Sequence, residues 1–274
     1  VLSLSTFPFG WAAASEKKRQ KVLYFTRSVD FEHSVVKREG DKLGHSERIL
    51  TELGKEHGFD VECSKDGRLF DGDLDGYDAL AFYTCSDLTR PSKDGAPPMS
   101  SEGKKRLAGT VAAGKPFIGI HSSCYWGQAA APDDPYLNMV GSRFISHGAQ
   151  QESTMVVTSS TFPAVEGLGP SFRLNDEWYA MKDFADDMHV ILAQDGKGME
   201  GPMYQRPPFP STWARKHGKG RVFFTAMGHR EDVWTNATFQ QILLGGIAWA
   251  LGNVDARILP NITKATPQAE KLPS

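Results

Sequence analysis

Three of the eight histidines in this 274-residue chain each follow a short apolar run of the kind that forms a β-strand. His33 lies in the polar loop after KVLYFT (21–26), His121 ends KPFIGIH (115–121), and His229 closes RVFFTAMGHRED (221–232). His147, in FISHGAQ, and Glu177, in NDEWY, follow elements able to reach the same place. Three imidazoles and a carboxylate can hold a divalent metal with one position left open, a donor set that suits zinc, manganese or iron. Such an ion polarises a carbonyl or lowers the pKa of bound water. Neither HExxH nor CxxC occurs, so no local motif marks the set. Its meaning rests on whether the fold brings these side chains together.

Each candidate has a second reading. His121 and His229 are expected as ligands, His33 as a ligand or proton carrier, and Glu177 as a ligand or general base. A core histidine satisfied by one hydrogen bond is the plain alternative for each. Asp176 beside Glu177 reads as a loop-capping residue. His147, Trp126, Trp178 and Trp234 are candidate substrate contacts, since indole rings can stack on sugar faces, although aromatic residues beneath loops also serve simply as core. Cys124 stands three residues past the His121 corner and reads as a buried, inert thiol rather than a nucleophile.

The elements that would position these residues alternate between two patterns. Residues 21–26, 59–63, 77–83 and 115–121 read as short buried strands. Residues 44–57 and 100–113 read as helices, the first closed by Gly58, the second capped by Ser100 and stopped by Gly114. This order predicts an α/β fold with a mostly parallel sheet, helices on both faces, and ligands bound outside the carboxyl ends of the strands. Residues 153–158, 172–174 and 189–193 have no long helix between them and predict a small antiparallel extension. Residues 197–210 form a Gly/Pro-rich segment expected to be exposed and lid-like. Further strands are expected at 211–215 and 221–227, then a helix over 238–251 ending at Gly252. The tail, 253–274, reads as a poorly ordered arm.

Composition narrows the function classes. With 33 acidic and 31 basic side chains interspersed along the chain, the formal net charge is −2, which gives no field to attract nucleic acid. No run of about 18 apolar residues is present to span a membrane. Three scattered cysteines (Cys63, Cys85, Cys124) make neither a disulfide framework nor a cysteine zinc site. Residues 1–14, VLSLSTFPFGWAAA, are apolar and end in small residues before the charged SEKKRQ. They read as the remnant of an export signal, placing the protein in the periplasm or cell envelope, with an N-terminal arm packed on the domain as the alternative. The expected organisation is a signal or arm over 1–20, one domain over 21–252, and the tail. Balanced charge points to an uncharged small-molecule substrate, and exposed aromatic loops leave room for a homodimer.

The strand KVLYFT with its loop histidine, the corner GIHSSCYW, FISHGAQ, NDEWY and RVFFTAMGHRED…FQQILLGGIAWALG together resemble the ThuA-like, or trehalose-utilisation, family over about residues 21–252. That family is similar in fold to class I glutamine amidotransferases, a flavodoxin-like sheet flanked by helices. Amidotransferases carry a catalytic cysteine at the central corner within Gly-x-Cys-x-Gly. Here the corner reads Gly119-Ile120-His121-Ser122-Ser123, so the resemblance implies the fold without glutaminase chemistry. Its matching positions are His33, His121, His147, Glu177 and His229. Association of the family with disaccharide catabolism, alongside dehydrogenases that make 3-keto sugars, implies an enzyme acting on a glycoside or 3-keto-glycoside. β-Elimination with hydration and metal-assisted hydrolysis both fit these residues. A non-catalytic sugar-binding module of an exported complex is the alternative.

Overall fold

The structure, a computed structural model, describes residues 18–93, 95–127 and 130–273. The expected signal or arm therefore lies, up to residue 17, outside the described residues. In chain order the strands are β1 (Gln20–Phe25), β2 (Phe59–Ser64), β3 (Ala79–Phe82), β4 (Phe117–Ile120), β5 (Arg143–His147) and β6 (Gln151–Val157). They continue with β7 (Ser171–Asp176), β8 (Tyr179–Lys182), β9 (His189–Asp195), β10 (Phe209–His217) and β11 (Gly220–Thr225). The α-helices are α1 (His45–His57), α2 (Ser101–Ala113), α3 (Pro135–Val140), α4 (Glu231–Trp234), α5 (Ala237–Leu251) and α6 (Ile262–Ala265).

Strands β2-β1-β3-β4-β11 pair in parallel, in the flavodoxin-like order that reverses direction of winding between β1 and β3. The sheet continues through β10-β9-β6-β7, all antiparallel, to nine strands. The antiparallel extension is thus part of the main sheet, and a separate two-stranded sheet pairs β5 with β8. The mostly parallel core with covering helices is the α/β class expected. Among the described residues, no helix is long and apolar enough to cross a membrane.

Alternation along each central strand feeds two cores. Val22 and Tyr24 pack with Ile49, Leu50 and Leu53 of α1 and Ile242 and Leu243 of α5. Leu23 and Phe25 point the other way, among Leu107 and Val111 of α2 and Tyr136 of α3. Helix α1 begins where the buried Glu47 carboxylate accepts the Gly44 N–H at 2.8 Å and closes at Gly58 with φ +82°. Helix α5 lies directly on β11 because Gly246 has no side chain: a Cβ there would stand 2.3 Å from the Phe223 ring.

Two expectations need correction. The tail is not a loose arm. Asn261 bonds both backbone groups of Val190, Ile262 and Ala269 are buried, and Glu270 accepts the N–H groups of Asp183 and Phe184 at 3.1 and 2.6 Å. Its prolines interrupt helix but do not prevent this capping and burial. Nor is 197–210 an exposed lid. Met199, Tyr204 and Phe209 are buried, Phe209 and Pro210 belong to β10, and the Tyr204 hydroxyl donates to the Trp178 carbonyl at 2.6 Å. Buried aromatic anchors in this segment outweigh its turn-forming composition.

Candidate metal centre

Three loops at the carboxyl ends of the parallel strands, together with the β7–β8 corner, converge on one point. His33 leaves β1 at the switch point and caps a short 3-10 turn, Ser34–Val36. His121 follows β4 as the first residue of a 3-10 turn, His121–Cys124, rather than as the last strand residue. Its φ of +47° is a conformation costly for a residue with a Cβ, about 1–3 kcal/mol, and one that surrounding structure must enforce. Glu177 occupies the corner between β7 and β8. His229 follows β11 after Gly228, whose φ of +117° makes the turn.

His33, His121, Glu177 and His229 each offer one ligand atom, and these atoms all lie within 4.8 Å of one another. The imidazole centroids form a nearly equilateral triangle with sides of 5.0, 5.1 and 5.3 Å, every pair edge to face. Glu177 Oε2 is 3.1 Å from His229 Nδ1 and 3.6 Å from His121 Nε2, and the two nitrogens are 3.3 Å apart. A point equidistant from those three atoms is about 1.9 Å from each, against about 2.0–2.1 Å for zinc–nitrogen bonds.

Hydrogen bonding fixes which nitrogens are available. The Ala226 carbonyl can only accept, so His121 donates to it from Nδ1 at 2.8 Å. In the neutral ring Nε2 then carries a lone pair facing His229 and Glu177. His33 Nε2 sits 3.4 Å from the Tyr179 hydroxyl, whereas its Nδ1 is buried with no hydrogen-bond partner. Burial, reinforced by the nearby charges of His121 and His229, holds the His33 imidazolium well below its usual range. Ligating histidines ordinarily donate their outer N–H to an oxygen while the inner nitrogen faces the metal. The pattern at His121 is of this kind, and the buried Nδ1 of His33, left without a hydrogen-bond partner, can serve as a ligand when His33 donates to Tyr179 from Nε2. The residues therefore fit a divalent cation.

Glu177 is nearly buried, which alone would raise its pKa. In the metal-free cluster the interaction with His121 and His229 overrides burial and holds it well below the usual carboxylate range. Its other oxygen, Oε1, is 3.2 Å from Nδ1 of His147, whose side chain is 44% exposed. That nitrogen also donates to the Gly148 carbonyl at 3.0 Å, leaving Nε2 as the lone-pair nitrogen of a neutral His147.

All five residues expected from the sequence thus meet, four in the cluster and His147 beside it. Of the three tryptophans, Trp178 and Trp234 stand away from any open surface, whereas Trp126 borders a surface cleft. Trp178 and Trp234 are fully buried, their Nε1–H groups donating to Gln151 O at 2.7 Å and Gly228 O at 2.8 Å. Trp126 is 3% exposed, packed on Tyr136 with the Lys104 ammonium 4.2 Å over its ring. Trp178 and Trp234 are core and support, because the loops that carry them fold over their faces. Sequence reasoning missed Tyr179, whose ring lies 4.2 Å from that of His121, and Tyr83, 5.3 Å from His33. The spacing of Glu177 and Tyr179, two residues apart with Tyr179 opening a strand, was the available signal.

Fold and site together define a flavodoxin-like α/β protein with a three-histidine, one-glutamate cluster on its carboxyl rim. The profile of the ThuA family, described as trehalose utilisation, matches residues 21–250, and the chain belongs to that family. A ThuA-like protein from Bacteroides uniformis is similar in structure, with a TM-score of 0.67 at 16% identity, over 87% of this chain and 94% of that one. One from Parabacteroides merdae gives 0.63 at 18%, over 93% and 97%. A β-galactosidase from Rahnella sp. R3 gives 0.51 at 14%, over 84% of this chain but 31% of that one. These likenesses establish the fold. No curated protein matches the sequence.

Proposed function

We propose that this chain is a metal-dependent enzyme of carbohydrate catabolism that cleaves a glycoside or 3-keto-glycoside, by elimination and hydration or by hydrolysis. The observation that carries the proposal is the triangle of Glu177 Oε2, His229 Nδ1 and His121 Nε2, whose centre lies about 1.9 Å from each atom, close to a metal–ligand bond length. A bound divalent cation supplies Lewis-acid polarisation of a sugar oxygen and a lowered pKa for bound water.

His121, His229, Glu177 and His33 are the residues that would hold it, with Glu177 Oε2 as the carboxylate donor. Proton transfer falls to His147 rather than to His33, which is buried and enclosed by His121, His229 and Tyr83. His147 is open to solvent, its Nδ1–H held by Gly148 and Glu177, and its Nε2 is free to take a proton from C2 of a 3-keto sugar or from water. Tyr179 packs against both the His121 and His147 rings and keeps them in place. The family's description as trehalose utilisation supports the sugar substrate class. Export to the periplasm or cell envelope is also proposed, from the apolar 1–14 stretch alone, and N-terminal sequencing of the protein recovered from fractionated cells tests it.

The testing experiment assays sugar release from a panel of glycosides and their 3-keto derivatives, with and without chelator. Turnover of at least one class, lost with chelator, restored by metal and reduced roughly 10²–10⁴-fold in His147→Ala, is the expected result. Sugar binding without turnover of either class would instead identify a binding module.

A further inference from the structure

The loop that carries His33 also presents the most exposed large apolar side chain among the described residues. Phe31 is 57% exposed, and its ring stands 4.8 Å from that of His33, edge to face. Isolated exposed apolar residues are common, but this one borders the cluster, and the residue before it borders a cleft. Asp30 lines a cavity of about 370 Å3 with Asp87, Arg90, Lys104 and Tyr125, between the loops leaving β1, β3 and β4. That volume lies in the range of small-ligand sites, about 300–1,000 Å3.

The polar groups of the cleft are held in place. Asp30 accepts from the Ser86 hydroxyl and lies 3.3 Å from Arg90 Nη1. Ser86 takes a φ of +71°, the same left-handed backbone as His121, at the end of the neighbouring strand. Its N–H donates to the Tyr125 carbonyl at 3.0 Å, joining the β3 and β4 loops. The charges cancel in pairs, Asp30 with Arg90 and Lys104 with Asp134, leaving Asp87 bonded to Thr89. Such a lining offers acceptors and donors to hydroxyls without a net positive field, so it disfavours phosphorylated or acidic sugars. Asp30 and Arg90 keep 41% and 59% of their side chains exposed and available to a ligand.

We infer that this cleft is a second subsite, taking the part of an uncharged, disaccharide-sized glycoside beyond the reacting ring. Phe31 is the apolar platform between it and the cluster, and Asp30 and Arg90 are the hydroxyl-binding pair. The inference rests on the proposed sugar substrate but not on the metal. Its test measures affinities of trehalose, maltose and cellobiose against methyl α- and β-glucoside by calorimetry, with metal content measured on the same samples. At least one disaccharide is expected to bind about tenfold tighter than the glucosides, and Phe31→Ala and Arg90→Ala are expected each to remove about fivefold or more of that gain. Glucoside affinity and metal content should stay within about twofold of wild type in Arg90→Ala, because Arg90 pairs with Asp30 and not with a cluster residue. Equal or undetectable disaccharide binding in the wild type, or a preference that survives both substitutions, overturns the subsite. Absence of metal with the preference intact and lost in the variants would remove the metal reading and leave the subsite standing.

Discussion

The Asp176 carboxylate holds the backbone of His229 while its neighbour Glu177 faces the ring of that same residue. Asp176 Oδ1 accepts the His229 N–H at 3.1 Å, and Glu177 Oε2 lies 3.1 Å from His229 Nδ1. Asp176 also accepts the N–H groups of Gly228, Arg230 and Glu177 at 2.7, 3.2 and 3.0 Å. One buried carboxylate thereby fixes the backbone of two cluster residues from different parts of the chain. Asp176→Ala strands these donors in the interior and is expected to cost about 2–4 kcal/mol in urea unfolding. Asp176→Asn keeps one acceptor oxygen and should cost less. A loss below about 0.5 kcal/mol for Asp176→Ala would show that the loop is held some other way.

Tyr179→Phe removes one hydroxyl, 3.4 Å from His33 Nε2, and leaves the ring packed against His121. Outer partners of metal-binding histidines commonly account for about 10–100-fold in metal affinity. The variant should therefore keep its thermal stability without metal and bind metal at least tenfold more weakly by competition with a chelating dye. Unchanged affinity would assign the hydroxyl no part in orienting His33.

Stability of the metal-free protein should fall in two separate pH windows. Burial, with His121 and His229 nearby, lowers the His33 pKa from 6.5, so the unfolded chain binds more protons below that value. His33 stability is complete above pH 6.5 and declines as pH falls below it. Glu177 is depressed from 4.5 because its interaction with His121 and His229 overrides burial, so its contribution is present above pH 4.5 and lost below. Melting temperatures measured in chelator from pH 8 to 3 should show both declines. His33→Gln should flatten the first and Glu177→Gln the second, and a wild-type profile flat between pH 7 and 5 contradicts the assignment.

Glutaminase-type chemistry would need an accessible thiolate, and the thiols here are arranged against one. Burial pushes Cys63 and Cys85 up to about 12 and Cys124 higher still. Ellman's reagent at pH 8 should label none of the three in the folded protein and all three after unfolding. Rapid labelling of folded Cys124 would reopen the nucleophile reading.

The central strands, α1, α2 and α5 were legible because their buried faces impose a period on the sequence and glycine or serine marks their ends. His121 and His229 were legible for a related reason, since each stands directly after a run buried on both faces. The β5–β8 pair was not, because its residues alternate weakly and each strand is short. The tail was misread for want of local signal: Asn261 and Glu270 are anchored by backbone groups of Val190, Asp183 and Phe184, far away in sequence. Trp178 and Trp234 proved fully buried, whereas Phe31, the exposed aromatic beside His33, carried no distinguishing pattern.

Metal stoichiometry tests the central claim most directly. Full-length protein stripped with chelator, then equilibrated in turn with zinc, manganese and iron(II), is desalted and its metal content measured by plasma mass spectrometry. One ion per chain is expected for at least one metal, with a raised melting temperature, and less than about a tenth of that occupancy in a folded His121→Ala, Glu177→Gln double variant. Failure of the wild type to retain any of the three metals in stoichiometric amount, with no change in melting temperature, would contradict the account.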